Sequence, residues 1–285
     1  MLVVGNISVG GTGKTPLVIW LAQAAAAMGF APGIILRGHG GRRNGPVLVD
    51  TTSDPDAVGD EALLLARRTG RPVMVGRDRP AAARALLAAA PVDLVISDDG
   101  LQHYALGRDV EIAVVDAQRR HGNGRCLPAG PLREPVERLE AVDLVVGNGA
   151  ALTPGGAFFR LEPAALQPLA ELTDPPAPPA PGSRVHAVAG IGHPQRFFAT
   201  LTRLGYQPER HALGDHHRFR AADLHFADDR PVIVTEKDAV KCQALAPANS
   251  WFLPVMAQPD PATAERLRAL LGMAKTRFAK RSLRP

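Results

Sequence analysis

The apolar run Leu2-Val3-Val4 leads directly into Asn6-Ile7-Ser8-Val9-Gly10-Gly11-Thr12-Gly13-Lys14-Thr15, and an Ala/Leu-rich stretch from Pro16 to Met28 follows, closed by Gly29. This reads as a buried strand, a glycine-rich loop and a helix, which commits the chain to an α/β architecture from its first residues. Successive glycines let backbone N–H groups wrap an anion, Lys14 can reach the outer phosphates, and the Thr15 hydroxyl is placed for a Mg²⁺ ion. The motif departs from its usual pattern at the opening position, where Ser8 stands instead of Gly. The strand before it and the helix after it carry the assignment: Ser8, Val9, Gly10, Gly11, Thr12, Gly13, Lys14 and Thr15 are expected to hold a nucleoside triphosphate. Pro16 fits in a first helical turn, where its missing N–H has no partner to lose.

Further apolar runs follow at Gly33–Leu36, Val47–Val49, Pro72–Val75, Val92–Ile96 and Glu111–Val115, with helical stretches at Asp60 to Thr69 and Arg79 to Ala90. Continuous rather than alternating apolar strands, separated by helices, predict a mostly parallel sheet covered on both faces. The expected fold is a doubly wound α/β domain of the P-loop NTPase type with a second, smaller α/β domain. The proline-dense segment from Thr173 to Ser183 reads as a linker. It divides the chain into a nucleotide-binding domain over 1–172 and a smaller domain over 184–285. That second half is expected to contain strands at His186–Ala189, Pro231–Val234 and Trp251–Val255, and helices from Pro194 to Leu204 and from Pro261 to Leu271. The pair Phe197 and Phe198 reads as part of its core.

With 285 residues, 46% hydrophobic and 21% charged, the chain can bury a core in each domain. Cys126 and Cys242 are too few for a disulfide framework, which suits a reducing compartment. No apolar run approaches the ~18 residues of a membrane span, and no signal peptide precedes the first strand. The net charge of +5 and the basic tail from Lys275 to Arg284 suit nucleic acid, an anionic membrane or a phosphate-rich ligand, and equally a solvated surface. There is no recognition-helix or base-stacking pattern, so no nucleic-acid partner is expected.

Acidic residues cluster where strands end, the usual ligand edge of an open α/β sheet. Asp98 and Asp99 follow Leu94-Val95-Ile96 and are expected to serve Mg²⁺, directly or through water. Asp60 opens a helix after Val58-Gly59; it is either a first-turn acid favoured by the helix dipole or the acceptor of a proton from an attacking hydroxyl. Arg133, in the loop Leu127 to Pro135, is placed to stabilise charge on a transferring phosphoryl group. In Asp215-His216-His217 the adjacent histidines lack the further ligands that a zinc site needs, and a histidine closing on the nucleotide site is the better reading. Thr235-Glu236-Lys237-Asp238 follows a strand and reads as a ligand contact or as a helix start with acidic first-turn residues.

Taken together and in order, VGNISVGGTGKTP, LRGHGG, VGDE, DDGLQH, LPAGPLREP, AGIGHPQRFF, DHH and VTEKDAVK resemble the tetraacyldisaccharide 4'-kinase family of Gram-negative lipid A biosynthesis. The resemblance covers essentially the whole chain. It implies ATP and Mg²⁺ as cofactors and transfer of the γ-phosphate to the 4'-hydroxyl of a tetraacylated glucosamine disaccharide 1-phosphate. The location it implies is the cytoplasmic face of the inner membrane, where the enzyme is peripheral and two α/β domains close over the nucleotide. By the same resemblance Asp60 is the base, His216 the residue that orients it, and Lys14 part of the catalytic set. Thr15, Asp98 and Asp99 hold the metal, with Arg133 and Glu134 near the phosphates and metal. Members of the family usually carry a further amphipathic, membrane-lying segment before the phosphate-loop strand, whereas here that strand starts at Met1. Leu101 stands where an aromatic residue is common, a change expected to leave the metal site intact. A different class with a related loop, a nucleotide-dependent switch or metallochaperone-type GTPase, is the alternative, since Thr235 to Asp238 faintly resembles a guanine-reading motif.

Overall fold

The computed structural model describes residues 1–42, 45–174, 176–215 and 217–282, with side chains through residue 274. The chain forms two compact units, one built from Met1–Glu162 with Met256–Pro285 and the other from Pro163–Val255.

The first unit begins with β1 (Leu2–Gly5), α1 (Lys14–Ala27), β2 (Pro32–Leu36), β3 (Val47–Val49) and the short helix α2 (Pro55–Val58). It continues through α3 (Asp60–Thr69), β4 (Val73–Val75), α4 (Arg79–Ala89), β5 (Leu94–Asp98), β6 (Val110–Asp116), β7 (Leu144–Asn148) and β8 (Ala157–Pro163). The second unit supplies β9 (Gln167–Pro168), β10 (Arg184–Ala189), α5 (Pro194–Arg203), β11 (Gln207–Ala212), β12 (Val232–Thr235), α6 (Glu236–Cys242) and β13 (Ser250–Leu253). The chain then passes through β14 (Val255–Pro259) into α7 (Pro261–Ser282).

The larger sheet has nine strands in the order β14-β8-β7-β6-β1-β5-β2-β4-β3. The pairs from β8 through to β4 are parallel, and β3 joins antiparallel to β4. The continuous apolar runs behave as their composition requires: every residue of β1 and β2 is buried, because helices cover both faces of the sheet. Strand β1 lies between β5 and β6 with Val4 level with Asp98, so the loop after β1 and the acids at the end of β5 emerge at the same edge.

The smaller sheet has the order β11-β10-β12-β13-β9, parallel except for β9. Phe197 and Phe198 lie in its core with Val185, Ile233 and Trp251, their ring centroids 5.8 Å apart.

Two expectations about domain boundaries are corrected. The segment 173–183 is not a boundary: it falls inside the second unit, where Pro179 O accepts from the Tyr206 hydroxyl at 3.1 Å and Gly182 N donates to Gly205 O at 2.8 Å. Prolines there impose irregular backbone without detaching it. The last helix belongs to the first unit, not to a domain spanning 184–285. Leu267 and Leu271 are fully buried, Thr263 Oγ1 accepts from Phe158 N at 3.0 Å, and Arg268 stacks over Trp20. The side chains of the basic tail from Lys275 lie outside the described residues. Among the described residues no helix is long and apolar enough to cross a membrane. Cys126 and Cys242 are both free thiols.

Candidate active site

The loop between β1 and α1 is built from backbone conformations that its glycines permit. Gly10 and Gly13 have φ of 87° and 88°, and a Cβ on Gly13 would lie 2.5 Å from Asn148 Nδ2. Gly13 caps α1, whose first turn carries neither an acidic residue nor a side-chain cap, so its N–H groups are left to an anion. Three side chains hold the loop from outside: Asn148 Nδ2 donates to Thr12 O at 3.0 Å, Arg119 Nη2 to Gly11 O at 2.5 Å and Gln102 Nε2 to Asn6 O at 3.0 Å. Ser8, in place of the usual glycine, pairs with Leu132 in an isolated antiparallel bridge, and Val9 N donates to Pro131 O at 2.8 Å. The segment containing Arg133 is thereby laid along the loop.

Lys14 Nζ donates to Asn6 Oδ1 at 3.0 Å and lies 3.3 Å from Asp99 Oδ1. Arg133 Nη1 donates to both oxygens of Asp99 at 2.9 Å. Thr15 Oγ1 donates to Asp98 Oδ2 at 3.2 Å. Asp99 has a positive φ of 53°, an unusual conformation for a residue with a side chain, and it turns the two adjacent carboxyls to different partners.

Their acidities separate accordingly. Burial, reinforced by Glu61 and opposed chiefly by Lys14, pushes the Asp98 carboxyl up to about 7. Burial acts on Asp99 in the same sense, but Lys14 and Arg133 together outweigh it and hold this carboxyl below its ordinary value. The other oxygen of Asp98, Oδ1, is buried with no hydrogen-bond partner among the described residues. A desolvated, unsatisfied carboxylate oxygen beside a threonine hydroxyl is a donor set that a hard divalent cation fits.

Asp60 is buried at the first position of α3, where its Oδ1 accepts from Glu61 N at 2.9 Å. The cap is Gly59, with φ of 92° and its Cβ position 2.6 Å from His39 O, so the helix start is pressed against the segment Gly38-His39.

Glu134 goes elsewhere: its carboxylate accepts from the Tyr104 hydroxyl at 2.9 Å and pairs with Arg138 at 3.2 Å. The structure thus gathers Ser8 to Thr15, Asp98, Asp99 and Arg133, and engages Glu134 with a neighbouring group. His216 lies outside the described residues. Leu101 is buried against Gly5, where only a missing Cβ leaves it room.

The motif Thr235 to Asp238 resolves as a helix start: Thr235 Oγ1 accepts from Asp238 N at 3.1 Å, and buried Asp238 accepts from Gly190 N at 2.9 Å and pairs with Lys241. Its carboxylate is consumed within the second unit, which removes the sequence support for guanine reading.

Sequence reasoning missed Asn6, Glu61, Arg79 and Asn148. Arg79, at the start of α4, is buried, donates to Gly76 O at 2.5 Å and has no partner for Nε or Nη2 among the described residues. Burial lowers its pKa to about 10 against the pull of Asp99 and Asp98. Nothing local in the sequence marks it, because an Arg after the capping Asp78 looks like any exposed first-turn residue. Asn148 had a weak signal, a polar residue ending the apolar run Leu144 to Gly147.

Comparison with known proteins shows the family. The family model described as tetraacyldisaccharide-1-P 4'-kinase matches residues 1–272. A tetraacyldisaccharide 4'-kinase of Alkalilimnicola ehrlichii is 62% identical over 274 residues, 95% of this chain and 82% of that relative. One of Azotobacter vinelandii is 52% identical over the same shares. Among solved structures, the apo-form LpxK of Aquifex aeolicus in complex with ATP superposes with a TM-score of 0.79 at 25% identity, covering 96% of this chain and 88% of that one. A match that runs from the phosphate loop into α7, with more than half the residues identical in these relatives, makes this chain a member of the tetraacyldisaccharide-1-P 4'-kinase family.

Proposed function

We propose that the protein transfers the γ-phosphate of ATP to the 4'-hydroxyl of a tetraacylated glucosamine disaccharide 1-phosphate. The observation that carries this reading is the junction of a phosphate loop with two acids of opposed acidity, Thr15 touching Asp98 and Lys14 with Arg133 touching Asp99. A lipid disaccharide kinase is what the family implies.

The loop amides and Lys14 bind the β- and γ-phosphates, and the N-terminus of α1 orients them. Thr15, Asp98 and Asp99 would hold Mg²⁺, which when bound neutralises phosphate charge. Glu134 joins them only by giving up its pairing with Arg138. Arg133 faces the charge that builds on the transferring group. Asp60 takes the proton of the 4'-hydroxyl as its oxygen bonds to phosphorus and the bond to the β-phosphate oxygen breaks. His216 is proposed to orient Asp60, and the smaller unit to close over the nucleotide and exclude water. The enzyme works at the cytoplasmic face of the inner membrane, as a peripheral protein without a nucleic-acid partner. The origin of its relatives in Gram-negative bacteria and the positive net charge support that placement.

The test is transfer of labelled γ-phosphate from Mg-ATP to detergent-dispersed tetraacyl disaccharide 1-phosphate. Transfer should disappear in Lys14→Ala, and kcat should fall about 10²- to 10⁴-fold in Asp60→Ala with ATP still bound. Wild-type protein that hydrolyses GTP in preference to ATP and leaves the lipid unmodified would overturn the reading.

A further inference from the structure

On the edge of the smaller sheet, three ligating side chains share one face. In the parallel pairing of β10 with β11, His186 is level with Glu209 and Val188 with His211. Alternate residues of a strand point the same way, so Glu209 and His211 project together beside His186. One ligand atom from each lies within 4.8 Å of the other two. His186 Nδ1 and His211 Nε2 face each other at 3.0 Å, and Glu209 Oε1 is 3.8 Å from His211 Nε2.

The surroundings are those of a supported ligand. His186 is buried, stacked on Phe226 at 3.7 Å between centroids, and its other nitrogen, Nε2, meets Asp228 Oδ1 at 3.0 Å. An ionised carboxylate can only accept, so Nε2 carries the proton and Nδ1 presents its lone pair to His211. A carboxylate behind an imidazole is the usual support of a metal-bound histidine. Arg230 binds Asp228 and the far oxygen of Glu209, Oε2, at 2.8 Å, which leaves Oε1 directed at the histidines. Two carboxylates against one guanidinium leave the cluster with spare negative charge.

We propose that His186, Glu209 and His211 form a site for a zinc-class divalent ion, built from residues other than the magnesium-type donors of the phosphate loop. Two imidazoles and one carboxylate select late first-row ions over Mg²⁺, and three protein ligands leave a fourth position for water or an exogenous ligand. The ion would pin edge strand β11 to β10. No local spacing reveals the site, because its ligands come from two strands and meet only through their register.

The test is titration of metal-free, full-length protein with Co²⁺ in saturating Mg-ATP, following the visible absorption of four-coordinate cobalt, and then displacement by Zn²⁺. One equivalent should bind with those bands. His211→Ala should lose them while keeping the wild-type circular dichroism, and Glu209→Gln should weaken binding roughly tenfold or more. Glu209→Gln also serves if His211→Ala misfolds, since it leaves both imidazoles in place. Absence of the bands in wild-type protein at excess Co²⁺, or unchanged affinity in both variants, would overturn the proposal.

Discussion

Asp98 ends β5 and Asp99 follows it, yet their pKa values shift in opposite directions because one is buried beside Glu61 while the other is held between Lys14 and Arg133. For Asp98 the folded carboxyl is raised to about 7, above its unfolded value, so the native state binds the extra proton. The contribution of Asp98 to the stability of the metal-free protein should therefore fall between about pH 4 and about pH 7 and level off above that, since stability falls with pH wherever a group holds more protons in the native state. In denaturant unfolding with a chelator present, the stability of wild-type protein relative to Asp98→Asn should fall over that window. Parallel profiles for the two proteins would mean that Asp98 is already ionised in the native state. At this scale the sequence was legible where a strand end or a glycine-rich motif supplied a signal, as at Asp98 and Lys14. It was silent at Arg79, whose importance comes from burial that only the packed molecule reveals.

Individual elements place these residues through their termini. Helix α3 delivers Asp60 and Glu61 because Gly59, at φ of 92°, lets the chain turn against His39 O. Gly59→Ala combines a strained φ with a 2.6 Å backbone contact, so it should destabilise the protein by at least about 1 kcal/mol. It should also lower kcat on the order of 10-fold or more with little change in the KM for ATP, because the phosphate loop is not touched. A fall in ATP affinity with kcat preserved would show that α3 serves the nucleotide instead. The sequence foretold α3 with the bounds Asp60 to Thr69 and the buried strands β1 and β2, where apolar runs are unbroken. It passed over β7 and β8, whose burial is incomplete and whose pattern is correspondingly mixed.

In the whole molecule, the chain leaves the larger unit after β8 and re-enters it at β14, neighbouring strands of one sheet. Neither a proline-dense segment nor the amphipathic pattern of α7 could reveal this, because composition reports local conformation and not which surface a helix covers. The smaller unit is thus an insertion, and replacing residues 163–255 by a short Gly/Ser linker should leave a unit that unfolds cooperatively and binds ATP but transfers no phosphate. Truncation before α7 should be far more damaging to nucleotide binding, since Leu267 and Leu271 are part of the larger unit's core. Loss of ATP binding in the excised protein, with truncation harmless, would contradict that division. The same threading sets an order of events on the ribosome. While residues 163–255 emerge, the nascent larger sheet has β8 as an uncovered edge, open to pairing with other chains. The inserted unit can fold first, and the nucleotide-binding unit is completed only when β14 and α7 have left the exit tunnel.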